Sequence, residues 1–180
     1  LSLQSADLWH KAASLTPTAA SPALGVFHLD KFHHLLAYAN LTDTGAPQYT
    51  YIRLPNPYLR AWGGNLVALQ NRIGSISNPT ETLAPLTAPI PEAWSPADRE
   101  ATLAQLQAGG GSMSAVLNLL DAVISTERLL IYGGPETLTE RLTVITGLMA
   151  LLPTCARADL TFASYVNAAS GPSRGRVVFA

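Results

Sequence analysis

The clearest succession of apolar and polar segments lies between residues 128 and 166. The run from Arg128 to Gly133 is short, bulky and closed by glycine, a pattern typical of a strand that is covered on both faces. We therefore predict a central strand of a sheet over residues 128 to 133.

A helix is predicted directly after the glycine-rich turn that ends this strand. Apolar residues recur there at offsets of three and four along one helical face: Leu138, Leu142, Ile145, Met149 and Leu152. Thr137 and Glu140 form a capping-box pattern at its start, and Pro153 disfavours its continuation. Residues 160 to 166 are rich in β-formers, so the whole segment predicts two parallel strands joined by a right-handed helical crossover.

The first half of the chain shows strand patterns over residues 25 to 29, 32 to 41 and 49 to 54, and the last two predict a hairpin. A helical pattern follows, at Leu59, Trp62, Leu66, Leu69 and Ile73. Gly63-Gly64 interrupts it. Because glycine destabilises a helix interior by about 1 kcal/mol relative to alanine, we expect a kink or a close backbone contact at this pair.

Two further helices are predicted between residues 95 and 127. Ser95-Pro-Ala-Asp98 combines an N-cap serine, a proline at the first helical position and an early aspartate, and three glycines from residue 109 end this helix. The second helix begins at Ser112. It is expected to bury its apolar residues: Met113, Val116, Leu117, Leu120, Val123 and Ile124.

Together these elements predict an α/β fold, with α+β as the alternative, in which helices pack on a mixed sheet. The predicted sheet contains residues 128 to 133, 160 to 166 and 176 to 179, together with the hairpin near residues 34 to 54. The order of the elements is strands, then helices, then the strand-helix-strand unit.

Length and composition suggest how the chain is divided. A chain of 180 residues is ample for one core. Residues 1 to 22 are interpreted as an N-terminal helix with a linker, and residues 23 to 180 as a single domain. The chain begins with Leu1 rather than Met and ends in a strand-like segment, so we expect a fragment of a larger protein.

Charge and cysteine usage narrow the classes of partner. Charged residues make up 13% of the chain, about half of the usual quarter, which suggests that some of the surface is covered by something else. The net charge is −1 and the basic residues are scattered, so nucleic acid is not an expected partner. One cysteine excludes an internal disulfide. No apolar stretch predicts a membrane span, and we expect a cytoplasmic protein.

Four residues near the first predicted strands are candidate metal ligands: His28, Asp30, His33 and His34. Histidine and carboxylate are suitable ligands for Zn²⁺ or Fe²⁺. On a continuous strand, however, His33 would face away from the other three, which would span about 20 Å at 3.3 Å per residue. Solvated or hydrogen-bonded histidines are therefore the favoured interpretation unless the chain turns.

The turn at Gly133-Gly134 is a candidate anion or ligand site, because the first N–H groups of a helix are unpaired and the helix dipole is positive there. It matches neither a dinucleotide fingerprint nor a P-loop. Pro135 removes a donor and Glu136 adds negative charge, so a plain turn between strand and helix is favoured. We find no catalytic set of residues and expect no cofactor.

The long proline-rich segment before Ser95 is the candidate partner-docking region. It carries apolar residues among its prolines: Leu83, Leu86, Ile90 and Trp94. Proline pre-extends a chain, so docking this segment into a groove would lose less entropy than docking a flexible one. The competing interpretation, which is the favoured one, is that these side chains close over the protein's own core.

The segment from Leu151 to Tyr165 (LLPTCARADLTFASY) resembles bacterial GTPase-associated proteins, in which a helix ending in Leu-Pro is followed by an arginine and a strand of the type Ser/Thr-Phe-Ser/Thr-Thr-Tyr. The helix containing Glu140-Arg141 and the strand at residues 176 to 179 are also similar. The resemblance implies a non-catalytic scaffold or adaptor module of a multidomain protein that works beside a GTPase. It supplies no catalytic residues.

Three hypotheses therefore stand at the level of sequence. The leading one is a non-catalytic interaction module whose partner is a protein, chiefly other domains of its own polypeptide. The second is a ligand- or metal-binding enzyme domain that uses His28, Asp30 and His33 or the Gly133-Gly134 turn. The third is a structural subdomain without a partner outside its own chain.

Overall fold

The structure is a computed structural model that describes residues 14–74, 95–108, 112–157, 159–166 and 175–180. Twelve helices and strands lie in these ranges. The strands are β1 (Ala23–His28), β2 (His33–Leu41), β3 (Pro47–Pro55), β4 (Leu129–Ile131), β5 (Phe162–Ala163) and β6 (Val177–Phe179). The helices are α1 (Asn56–Trp62), α2 (Leu66–Gly74), α3 (Pro96–Ala108), α4 (Met113–Ser125), α5 (Leu138–Leu151) and α6 (Thr154–Arg157).

The strands form one mixed sheet in the order β3-β2-β1-β5-β6-β4. Strands β1 to β3 make an antiparallel meander, and β5 continues it antiparallel to β1. β6 then runs parallel to both β5 and β4. The predicted mixed sheet and the predicted hairpin of β2 with β3 are confirmed.

The prediction of a central strand over residues 128 to 133 is wrong, because β4 lies at the edge of the sheet. Leu129 and Ile131 are half-buried, but Leu130 between them is 40% exposed. β4 is apolar on both faces although, within the described ranges, helices cover only one of them. A hydrophobic run alone does not specify its place in the strand order. The strand after the crossover is also shorter than predicted, and β6 lies between it and β4.

Both faces of the sheet carry buried side chains. Alternate strand residues such as Val26, Leu36 and Phe162 pack against the helices, with Leu142, Ile145 and Leu148 of α5 at the centre of that core. On the opposite face, Phe27 forms a second cluster with small residues of neighbouring strands and with Leu15. Leu15 forms an isolated antiparallel bridge with Val166, so the described part of the N-terminal segment lies along the sheet.

The predicted helix across Gly63-Gly64 is two helices, not one kinked helix. Both glycines have positive φ, 73° and 96°, a conformation that side chains with a Cβ rarely adopt. Gly63 is the left-handed C-cap of α1. A Cβ on Gly64 would lie 2.9 Å from the sulfur of Met149, so the expected close backbone contact is present.

The predicted crossover helix is confirmed as α5, which follows β4 and precedes β5. Thr137 is its N-cap and forms the predicted capping box with Glu140. The Thr137 hydroxyl and backbone N–H lower the pKa of the Glu140 carboxyl. A second cap comes from far along the chain, since the Leu138 N–H donates to the Ser21 hydroxyl over 2.8 Å.

Replacing Thr137 with alanine should lower the free energy of unfolding by about 1 kcal/mol, because the hydroxyl that accepts the Glu140 N–H is lost. Urea denaturation of the variant measures this loss. Thr139→Ala in the same helix is the matched control. Thr139 is exposed and is not the cap, so its replacement should change stability by less than about 0.5 kcal/mol. Equal losses in both variants would contradict the capping role.

Candidate functional site

The candidate metal ligands lie around a tight turn between β1 and β2. The chain does turn here, as the sequence interpretation left open: it reverses at residues 29 to 32, between the two predicted strands, and His28 pairs with His34. The turn forms because the Asp30 carboxylate accepts the Phe32 N–H over 2.7 Å, a local bond that aspartate favours.

This turn separates the four residues into two pairs. The His28 and His34 rings lie 4.4 Å apart between centroids, and Nδ1 of His34 lies 2.7 Å from Oδ1 of Asn56. His33 instead pairs with Asp30, with 2.9 Å between Nδ1 and Oδ1. The Phe32 N–H and then the His33 ring hold the pKa of the Asp30 carboxyl below its ordinary value.

Arg53 of β3 lies next to the exposed pair of Asp30 and His33, with its Nη2 at 3.7 Å from the Asp30 carboxylate. Because Nδ1 of His33 donates to Asp30 in this arrangement, we assign the 3.0 Å approach of Arg53 to that nitrogen as proximity rather than as a second hydrogen bond. Within the described ranges, no group of three or more His, Cys, Asp or Glu residues is placed to hold a metal ion. The role of His28, Asp30 and His33 as ligands stays a prediction.

The Gly133-Gly134 turn lies between β4 and α5, as expected from the sequence. Gly133 has a φ of 64°, and a Cβ on Gly134 would lie 2.9 Å from the Phe179 ring. The backbone conformation at the first position and the close packing at the second therefore explain why both residues are glycine. Two N–H groups in the first turn of α5 already donate to Ser21 and Thr137 hydroxyls. Anion binding at this turn stays a prediction.

The predicted docking residues Leu83, Leu86, Ile90 and Trp94 lie outside the described residues. Their role therefore stays a prediction.

A different apolar surface lies on α4. Val116 and Val123 of this helix are buried, but Met113, Leu117 and Ile124 are 51%, 53% and 59% exposed. The prediction that α4 buries all its apolar residues is wrong. The helix carries two apolar stripes, one against the core and one directed outward. The outward stripe meets α3 at one end, where Gln107 Nε2 donates to the Met113 sulfur over 3.9 Å, and stays largely exposed along the rest of its length.

The edge strand β4 carries a second group of exposed side chains. Arg128, Leu130 and Tyr132 alternate along one face of the strand, opposite Leu129 and Ile131. Tyr132 is 67% exposed. We call the outward residues of α4 and these three residues of β4 and its flanks the edge surface.

Arg176 holds the two parts of the edge surface together. Its guanidinium Nη2 donates to the carbonyl of Ile124 at the end of α4 over 3.1 Å. Its own carbonyl accepts the Leu129 N–H, the first bond between β4 and β6, over 2.7 Å. The exposed end of α4 is thereby fixed beside the start of the edge strand.

Sequence reasoning missed this surface because it treated each apolar run as core. Two signals were nevertheless present. In α4 the residues Met113, Leu117 and Ile124 repeat at offsets of four and seven, separately from the stripe of Val116 and Val123. At β4, one face has arginine and tyrosine on either side of Leu130, which is unusual for a strand covered on both faces.

A recess of about 220 Å³ lies between α2, α3 and α5. Its lining is mostly neutral: Asn65, Val67, Asp98, Ala101, Thr102, Gln105, Thr143 and Thr146. The one carboxylate, Asp98, accepts the Ser95 hydroxyl over 2.7 Å at the start of α3, and this bond lowers its pKa. The recess brings no acid and base together.

No helix in the described part of the chain is long and apolar enough to cross a membrane. Comparison with protein-family models, with curated proteins and with solved structures finds no match to this chain.

Proposed function

We propose that this chain is a non-catalytic interaction module of a multidomain bacterial protein, and that it binds a protein partner through the edge surface. The observation that carries the proposal is the exposure of five large apolar side chains on two neighbouring elements: Met113, Leu117, Ile124, Leu130 and Tyr132. Leu129 and Ile131 pack with the core on the helical side, so Leu130 and Tyr132 extend the apolar surface around the edge of the sheet to its other face. Exposed apolar patches mark protein–protein contact sites.

The chemistry of the surface supports a protein partner. The centres of protein interfaces are depleted of charge and enriched in methionine, tyrosine and arginine. The edge surface combines Met113, Tyr132 and Arg128 with branched aliphatic side chains. An open strand edge adds backbone donors and acceptors that a partner strand can use.

The resemblance of residues 151 to 165 to GTPase-associated proteins supports the wider setting. On that basis the module works in the cytoplasm beside a GTPase, as a scaffold that holds other domains of the same polypeptide. The edge surface is the contact through which it does so.

A photo-crosslinking amino acid at Leu117, introduced into the native polypeptide in the cells that produce it, tests the proposal. We expect ultraviolet light to join the protein covalently to a partner protein through this position. The matched control carries the same amino acid at Thr44, an exposed residue in the turn between β2 and β3, and should give no such product.

Mass spectrometry of the crosslinked peptides then identifies which chain was reached. A product at Leu117 that is absent at Thr44 supports an interaction surface. Absence of any protein product at Leu117, with the protein folded and the amino acid incorporated, would overturn the proposal.

A further inference from the structure

We infer that the partner of the edge surface is a second copy of this chain, paired through antiparallel β4 strands about a twofold axis at Leu130. This inference rests on the proposed function and names its partner. Two observations support it. The first is the direction of the backbone N–H and C=O groups at the edge of the sheet, and the second is the set of side chains that the twofold axis would place opposite one another.

The backbone argument starts from the bonds between β4 and β6. The Leu129 N–H donates to Arg176, and the Ile131 carbonyl accepts the Ala180 N–H. Residues 129 and 131 thus direct their backbone groups inward, and alternation along a strand turns the N–H and C=O of Leu130 toward the open edge. In the described chain, no strand pairs with β4 on that side.

An antiparallel pair can be centred on a residue that exchanges both hydrogen bonds with its counterpart. Leu130 has the outward N–H and C=O that such a centre requires. With Leu130 opposite Leu130 of the second copy, Arg128 falls opposite Tyr132, and Tyr132 opposite Arg128. The ladder then extends by two further hydrogen bonds on each side of the centre.

The side chains of this register are self-complementary. Leu130 packs on Leu130, and each Arg128 lies beside the Tyr132 ring of the second copy, where a guanidinium and an aromatic face attract. Cross-strand pairs of this kind stabilise a sheet. In any other antiparallel register, Arg128 no longer lies directly opposite Tyr132.

The helical layer agrees with the same symmetry. A twofold axis perpendicular to the sheet keeps both copies of α4 on the same side of the joined sheet. The exposed end of α4 at Ile124 is held beside β4 by Arg176, so the C-terminal ends of the two α4 helices lie on the same side of the joined sheet. Interfaces between identical subunits are isologous in this way, with one patch meeting itself.

The opposite edge of the sheet, at β3, is protected against pairing with another strand. β3 begins and ends with proline and carries Arg53 as an exposed residue. Prolines and charges are devices that protect edge strands from pairing. β4 is short and is flanked by the exposed Arg128, and both features limit pairing, but it has no proline and exposes Leu130 and Tyr132.

Charge reversal at the twofold tests the inference. Sedimentation equilibrium should give the full chain twice its 19.1 kDa mass. Leu130→Lys alone and Leu130→Glu alone should each raise the dimer dissociation constant by about a hundredfold or more, because like charges would face each other. An equimolar mixture of the two variants should recover the dimer, since lysine then faces glutamate.

Phe32→Lys is the matched control, because Phe32 is also an exposed apolar residue on a turn far from β4 along the sheet. It should leave the dimer intact. Amide exchange of the unaltered chain gives a second measurement that needs no variant: protection of the Leu130 N–H should rise with protein concentration, whereas that of the Thr44 N–H should not.

Three results would overturn the inference: a monomeric chain at every concentration, a dimer that persists in both folded charge variants, or a mixture that stays monomeric. These outcomes are distinguishable from failure of the proposed function. If Leu117 crosslinks only to other proteins while the chain sediments as a monomer, the interaction module stands and the second copy is the wrong partner.

Discussion

Replacing Phe162 with alanine should lower the free energy of unfolding by about 3–5 kcal/mol, the usual range for removing a buried phenylalanine. Phe162 has no exposed surface. It lies on β5, opposite Val26 of β1 and Val177 of β6, at the junction where the antiparallel meander meets the parallel strands. Its loss would leave a cavity between both halves of the sheet and the helices.

The backbone around Phe162 has little room to collapse into that cavity. A Cβ on Gly175 would lie 2.9 Å from the Phe162 carbonyl carbon, so the chain before β6 already packs closely on β5. Chemical denaturation measured by near-ultraviolet circular dichroism gives the change in stability. Phe32→Ala is the control: Phe32 is 61% exposed and should change stability by about 0.5 kcal/mol at most. Similar effects of the two substitutions would contradict this account of the core.

Elements whose signals are local were predictable from the sequence. The cap formed by Thr137 and Glu140, the apolar period through Leu142 and Ile145, and Pro153 all act within one helix, and α5 ends at Leu151 as these signals indicate. The same holds for the start of α3, where the Ser95 hydroxyl accepts the Asp98 N–H. In each case the determining contacts lie within a few residues along the chain.

Features that depend on strand order were not predictable. The run from Leu129 to Ile131 would be apolar at the centre or at the edge, and only pairing with β6, some fifty residues later, places it at the edge. The outward stripe of α4 was missed for a related reason. An apolar residue does not by itself indicate whether its face of the helix will be buried against the sheet. Asp30 and Lys31 separated two predicted strands, but the bond from the Phe32 N–H to the Asp30 carboxylate that forms the turn was not predicted.

The candidate sites also depend on contacts that the local sequence does not specify. His28 and His34 lie side by side because they are cross-strand partners of β1 and β2, and not because of their spacing along one strand. The spacing could not show that Asp30 and His33 pair separately, because that contact depends on the turn. The edge surface depends on two elements joined by Arg176, a contact between residues 52 positions apart.

Arg157 should make the second large contribution to stability. Its guanidinium is buried beneath the ends of two helices: Nε donates to the Leu152 carbonyl over 2.9 Å, Nη1 to Gly63 over 3.5 Å and Nη2 to Ala150 over 3.4 Å. The last carbonyls of a helix have no partner within it, and the negative end of the helix dipole favours a cation there. Arg157 therefore ties the end of α5 to the end of α1.

Arg157→Met should accordingly lower the free energy of unfolding by about 2–3 kcal/mol, because a side chain of similar length leaves these carbonyls without their charged donor. Burial lowers the pKa of the Arg157 guanidinium, but arginine stays protonated across the neutral range, so the loss should not vary with pH there. Urea denaturation in mildly acidic and in mildly basic buffer measures the loss of stability and shows whether it depends on pH.

Arg60→Met is the matched control for Arg157→Met. Arg60 also lies in the last turn of a helix, α1, but it is exposed, so its replacement should have little effect on stability. Arg157→Lys should fall between the two, because an ammonium keeps the charge but cannot reach three carbonyls with a planar fork. A loss for Arg157→Met no larger than that for Arg60→Met would show that the buried guanidinium does not hold the two helix ends together.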